Sequence, residues 1–144
     1  MGNQWLELLD TAWRAWLETL DRVDPVRRNE RVVCGPWSVK DLVGHIALWD
    51  AETLTDIQRW QLGLQPIRND WQRINDDDNA RKLHRPYDLL RIEMHLVHQT
   101  LRDAIAQLPN ELPSGIVEQI ADDAWEHYDL HRGDIETWLD SNGS

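Results

Sequence analysis

Counted at 100° per residue, the apolar positions from residue 3 to residue 23 collect on one face: Trp5, Leu9, Ala12, Trp13, Trp16, Leu20 and Val23. Asp24-Pro25 closes the run, because proline disfavours helix in the residue before it. The spacing predicts a first helix over 3–23. A polar, Arg-rich connection containing Gly35-Pro36 follows, and then Ser38, a natural N-cap whose acidic partner Asp41 stands three residues on. The second helix runs from there to about Gly63, with Leu42, Ile46, Trp49, Thr53, Ile57 and Trp60 inward. Residues 64–85 are rich in Asn, Asp and Arg, contain Pro66, and show a short helical pattern only through Trp71 and Ile74. They read as a long crossover with one or two turns of helix.

Pro86 suits the first position of a third helix, whose face is Leu90, Met94, Val97, Leu101, Ala104, Ile105 and Leu108 and which stops at Pro109. After Pro113-Ser114-Gly115 a fourth helix is predicted over 116–139. Strand-like alternation, internal repeats and low-complexity tracts are absent from the sequence. The pattern therefore predicts an all-α fold, a four-helix bundle with a long crossover between its second and third helices. At 144 residues the chain is the size of one domain, 1–144.

Charge changes what such a bundle can meet. Fifteen Lys and Arg against 26 Asp and Glu leave −11 with histidine neutral, which repels phosphate backbones and anionic lipid surfaces. The densest basic stretch, Arg81 to Arg85, follows Asp76-Asp77-Asp78 across Asn79-Ala80 and is offset by it. Nucleic acid and membrane are excluded as expected partners. Cys34 is the single cysteine, so no internal disulfide can form. No leader pattern and no apolar run of membrane-spanning length is visible, and the expectation is a cytoplasmic protein. Phe is absent and Trp occurs nine times, so tryptophan is expected to supply most of the aromatic core.

The fourth helix carries the chemistry. On a wheel centred on Ala124, Val117, Ile120, Tyr128, Ile135 and Trp138 lie on the buried stripe, and so do His127 and His131. Glu118, Asp122, Glu126, Asp129 and Glu136 take the solvent face. Residues four apart stack on one helix face, so two imidazoles at this spacing can reach one ion. Burying two polar rings demands two satisfying partners, and one cation supplies both; the bland alternative is a pair of hydrogen-bonded core histidines. Tyr-Asp-Leu between them lacks the glutamate of H-E-x-x-H, which removes a zincin-type peptidase. A third ligand must come from another helix. Periodicity ranks His98, on the apolar stripe of the third helix, slightly above His45 on the shoulder of the second. His95 points elsewhere, and His84 falls in the crossover.

Two motifs bear on that choice. GPWSVKDLVGHIALWD, Gly35 to Asp50, resembles the second-helix signature W-S-x-x-D-x-x-x-H of the DinB-like superfamily, and EHYDLHRGDIETWL, Glu126 to Leu139, resembles its last-helix signature H-x-x-x-H followed by W-L. With the four-helix pattern, the resemblance covers essentially the whole chain. It implies a metal-binding four-helix bundle holding a divalent metal, often zinc or nickel, by one histidine of the second helix and two of the last. Carried onto this sequence these are His45, His127 and His131. The superfamily includes S-transferases that use bacillithiol, mycothiol or glutathione, and mycothiol-dependent maleylpyruvate isomerases. The resemblance thus implies a thiol S-transferase or related hydrolase acting on a small electrophilic substrate, with a low-molecular-weight thiol as possible cosubstrate.

Three neutral imidazoles leave at least one coordination position open, the pattern of a catalytic rather than a closed structural metal site. A metal so held activates water or a thiol, or polarises a carbonyl. The alternative function is a non-enzymatic bundle that binds or sequesters a metal or small molecule. Bundles of this kind commonly pair, so a homodimer is expected. Around the site, Trp49 either walls a pocket or packs in the core, and Asn75, Asp78 and Asn79 form a rim or cap the crossover. Tyr128 either donates a proton or packs, and Cys34 is either reactive or inert.

Overall fold

The computed structural model describes residues 3–65 and 70–141. Pro66 of the predicted crossover lies outside them. The described residues form α1 (Gln4–Asp21), a short 3-10 turn (Pro25–Arg27), α2 (Val39–Gln61), α3 (Trp71–Lys82), α4 (Tyr87–Ala106), α5 (Ser114–Asp123) and α6 (Trp125–Ser141). Among them no strand occurs, only an isolated bridge between Cys34 and Trp37. The all-α expectation holds. None of the helices is long and apolar enough to cross a membrane.

Local chemistry fixes the ends. Asn3 caps α1 by accepting from the Leu6 N–H, and its amide donates to the carbonyls of Ile105 (2.8 Å) and Leu108 (2.9 Å), tying the start of α1 to the end of α4. Ser38 and Asp41 form the predicted capping box at the start of α2. At the other end of α2, Leu64 N–H reaches the Arg59 carbonyl (2.9 Å) and Gly63 N–H that of Trp60 (2.9 Å). Gly63 adopts φ 75° there, the left-handed conformation that closes a helix in this way.

α2 lies along α4 and α1 along α6, and α5 also touches α2. The core between them is built from Leu9, Trp16 and Leu20, Leu42 and Ile46, Leu90, Met94 and Leu101, and Tyr128 and Ile135. Trp16 donates its indole N–H to Met94 Sδ (3.3 Å). Trp13, Trp16, Trp125 and Trp138 are buried, whereas Trp71 is 61% exposed.

Two elements differ from the sequence pattern. The crossover contains a helix of 12 residues, α3, longer than one or two turns. Its N-cap is Asp70, and its far end is pinned to α2 by Lys82, whose ammonium donates to the Gly44 carbonyl (2.8 Å) and pairs with Asp78 (2.7 Å). The absence of a side chain at Gly44 makes room: a Cβ there would meet Lys82 Cδ at 3.1 Å. The predicted fourth helix is broken at Ala124 (φ −118°, ψ −96°) into α5 and α6. The apolar stripe runs unbroken across that residue, so its spacing carried no sign of the break.

Candidate metal centre

The tight turn Cys34-Gly35-Pro36-Trp37 begins the site. Gly35 takes φ 57°, and the chain folds back so that Cys34 and Trp37 exchange backbone hydrogen bonds (3.0 and 3.2 Å). This sets the Trp37 ring beside His45 of α2, ring centres 4.6 Å apart. Across from them α6, restarted after Ala124, presents His127 and His131 one turn apart.

The structure brings these three histidines together. His127 Nε2 lies 3.0 Å from His45 Nε2 and 2.9 Å from His131 Nε2. The Nδ1 atoms of His45 and His127 are buried and have no hydrogen-bond partner among the described residues. His131 Nδ1 meets Asp134 Oδ2 at 2.9 Å; its N–H donates to the carboxylate and leaves the Nε2 lone pair facing the other rings. A neutral imidazole carries one hydrogen, so His127 Nε2 can satisfy at most one of its two neighbours. Burial, then the neighbouring rings, hold His45 down to about 2 and His127 to about 3, and burial lowers His131 against the pull of Asp134. The rings are neutral at neutral pH. Three neutral nitrogens that cannot all satisfy one another suit a divalent cation, and the side chains stand close enough to hold one.

Periodicity alone favoured His98, and the structure gives it other work. Its ring stacks on Trp13 (3.6 Å between centres, 5° between planes), and its Nδ1 lies 3.0 Å from the Tyr128 hydroxyl. That hydroxyl donates to the Asp50 carboxylate (2.7 Å), which is wholly buried. Tyr128 thus belongs to a network in the core, one residue along from His127. Burial raises the Asp50 carboxyl, with His98 and Tyr128 opposing it. His84 and His95 are exposed and stand outside the cluster.

The three histidines lie in a cavity of about 660 Å³ lined from α2, α3, the α5–α6 junction and the Cys34–Trp37 turn. Trp49 walls it, its indole N–H donating to Asn75 Oδ1 (2.7 Å), so both residues reach the rim. Asp78 is instead spent on Lys82 and Arg81, and Asn79 lines only a minor crevice behind it. Cys34 lies in the cavity beside Asp134 and His131. Burial, then the Asp134 carboxylate, pushes its thiol up to about 11. A protonated thiol is a poor ligand, so Cys34, His131 and Asp134 make a weaker cation site than the three imidazoles.

No protein-family model matches the chain, and no curated protein matches it by sequence. A crystal structure of an uncharacterised protein from Escherichia coli UTI89 is similar in fold, with a TM-score of 0.81 at 18% identity over 96% of this chain and 92% of that one. That likeness concerns the fold alone.

Sequence reasoning missed Asp134 and Glu52. Asp134 follows His131 by three residues, a spacing at which helical side chains meet. Glu52 shares the α2 stripe His45, Trp49, Glu52, Asp56, at i, i+4, i+7 and i+11, all of which line the cavity.

Proposed function

We propose that the chain is a DinB-like four-helix-bundle protein in which α5 and α6 together form the fourth arm. On this reading it is a metal-dependent enzyme, a thiol S-transferase or related hydrolase acting on small electrophilic molecules. His45, His127 and His131 hold a divalent cation, zinc or nickel. The observation that carries this reading is the convergence of three neutral imidazoles that cannot all satisfy one another, in a cavity large enough for a small molecule. Such a cation supplies Lewis acidity, which activates a thiol or water towards an electrophile. The chain's own contribution is positional: Asp134 holds the His131 proton on Nδ1, and Trp37 and Trp49 wall the pocket.

Metal analysis of protein purified without a histidine tag tests the site. One divalent ion per chain is expected, lost in His127→Ala and His131→Ala; full metal content in both variants sinks the assignment. The metal-loaded protein is then assayed with bacillithiol, mycothiol and glutathione against a generic alkylating electrophile. Turnover that disappears on chelation supports the transferase. The homodimer is part of the proposal too, and a monomeric mass by light scattering removes it.

A second reading, a non-enzymatic bundle that sequesters a small molecule, is favoured by the two groups best suited to proton transfer or attack. The Tyr128 hydroxyl is engaged with Asp50 in the core, and the Cys34 thiol is held protonated. Binding without turnover for every thiol tested selects this reading.

A further inference from the structure

The cavity has a charge as well as a floor. Among the described residues its lining carries the carboxylates of Glu52, Asp56, Asp76 and Asp123 against one cation, Arg59. Arg59 Nε donates to the Gln65 carbonyl (2.8 Å), Asp56 accepts from the Gln119 amide, and Asp76 accepts from Gln72 (3.1 Å). Glu52 is half-buried and has no hydrogen-bond or ion-pair partner among the described residues. Burial, then the neighbouring Asp56 and Asp78, raises its carboxyl, so its charge wants a counter-ion. Indoles line the same space: Trp37 and Trp49 in its walls, and Trp71 exposed at the start of α3. Indole faces attract cations, and the attraction grows as water is excluded. His45, only 8% exposed and with Nδ1 unpartnered among the described residues, lines the cavity as well.

We propose that the cavity takes an elongated, positively charged small molecule, an amine or a quaternary ammonium, whose cationic end lies against Glu52 and the Trp49 indole and whose other end reaches the three histidines beside Trp37. Two turns of α2 separate His45 from Glu52, about 10 Å along the axis. The ligand therefore carries its charge about that far from the end that meets the histidines. In the metal-free cavity the same field disfavours anionic molecules, and a divalent cation at the histidines offsets part of it. This inference rests on the cavity above the histidines being the substrate site, as proposed above.

Hexylammonium, 1-hexanol and hexanoate share one chain length and differ in head charge. Each is titrated calorimetrically at pH 7.5 into the full chain, as the metal-loaded protein and after stripping with a chelator. Hexylammonium is expected to bind about tenfold tighter than hexanol, with hexanoate weakest, in the stripped protein; in the metal-loaded protein hexanoate gains a carboxylate bond to the cation, so the comparison of head charges is read in the stripped form. Glu52→Gln should bring hexylammonium to within a few-fold of hexanol while leaving hexanol binding unchanged, which shows that the pocket is intact; Asp56→Asn repeats the measurement at the neighbouring carboxylate. The proposal is overturned if hexanoate binds the stripped protein as tightly as hexylammonium, or if neither variant reduces the preference. Cation preference in a protein that holds no metal would remove the metal reading and leave this one standing. Bound metal, with anion preference persisting after the metal is stripped, would do the reverse.

Discussion

Asp134 makes no contact with the convergence point of the three imidazoles, yet it decides which nitrogen His131 offers. With Nδ1–H committed to the carboxylate at 2.9 Å, only Nε2 is left for a cation. Outer partners of this kind are worth about 10–100-fold in metal affinity. Asp134→Asn should weaken zinc binding by about that factor, read by competition with a chromophoric chelator; unchanged affinity would show that His131 needs no partner to hold its tautomer. Tyr128 is the opposite case, a polar residue given to the core. Tyr128→Phe removes a donor from the buried Asp50 carboxylate and should cost about 1–3 kcal/mol in urea unfolding, with metal content retained. His127 and His131 were legible because a buried i, i+4 pair is conspicuous on an apolar stripe; His45 was not legible from periodicity, which ranked His98 above it, and came only with the resemblance. Glu52 and Asp134 were not, because a single carboxylate on a helix gives no sign of whether it faces water or a cavity.

At the scale of elements, the chain writes its helix ends more clearly than its helix count. Ser38 and Asp41 were readable as a capping box, and the box exists. Ser38→Ala should destabilise the fold by about 1 kcal/mol, and because His45 stands two turns into α2 it should also loosen metal binding, checked by parallel unfolding and metal titrations. α3 was half-hidden for a physical reason. It has no apolar stripe and is held instead by Asp78, Lys82 and the Gly44 carbonyl, contacts that leave no periodic trace. The break at Ala124 was hidden for a different one: Ala124 N–H still reaches Ile120 and the Tyr128 N–H still reaches Ala124, both at 2.9 Å, so the buried face stays continuous through a residue whose backbone leaves the helix.

For the whole molecule, the histidine cluster sets how stability follows pH. The folded state keeps His45 and His127 neutral down to about 2 and 3, whereas the unfolded chain takes up protons there near 6.5. The unfolded state therefore binds more protons between those limits, and stability falls as pH drops from about 7 towards 3. Asp50 and Glu52 act with the opposite sign, since their raised folded carboxyls favour the fold below their ordinary values and lose that contribution as pH rises through the raised ones. Urea midpoints in chelator should be lower at pH 5 than at pH 7.5, with a flatter dependence in His127→Ala. The same downward shifts predict that zinc affinity of the folded protein falls less between pH 7.5 and 5 than that of exposed histidines; a loss as steep as theirs by equilibrium dialysis would contradict the buried neutral rings.

Neighbouring residues face opposite ways along two helices: Trp49 to the cavity and Asp50 to the core on α2, His127 to the cavity and Tyr128 to the core on α6. The network of Asp50, Tyr128 and His98 thus adjoins, in sequence, the residues that line the cavity. Remodelling the pocket from that side would expose this buried hydrogen-bonded network to solvent. Room for larger ligands has to be found on the outer side, at Trp71 and Gln72 on the exposed start of α3, where substitution disturbs neither the core nor the histidines. Divergent chains built on this plan can therefore be expected to vary their ligands through α3 while α2 and α6 stay fixed.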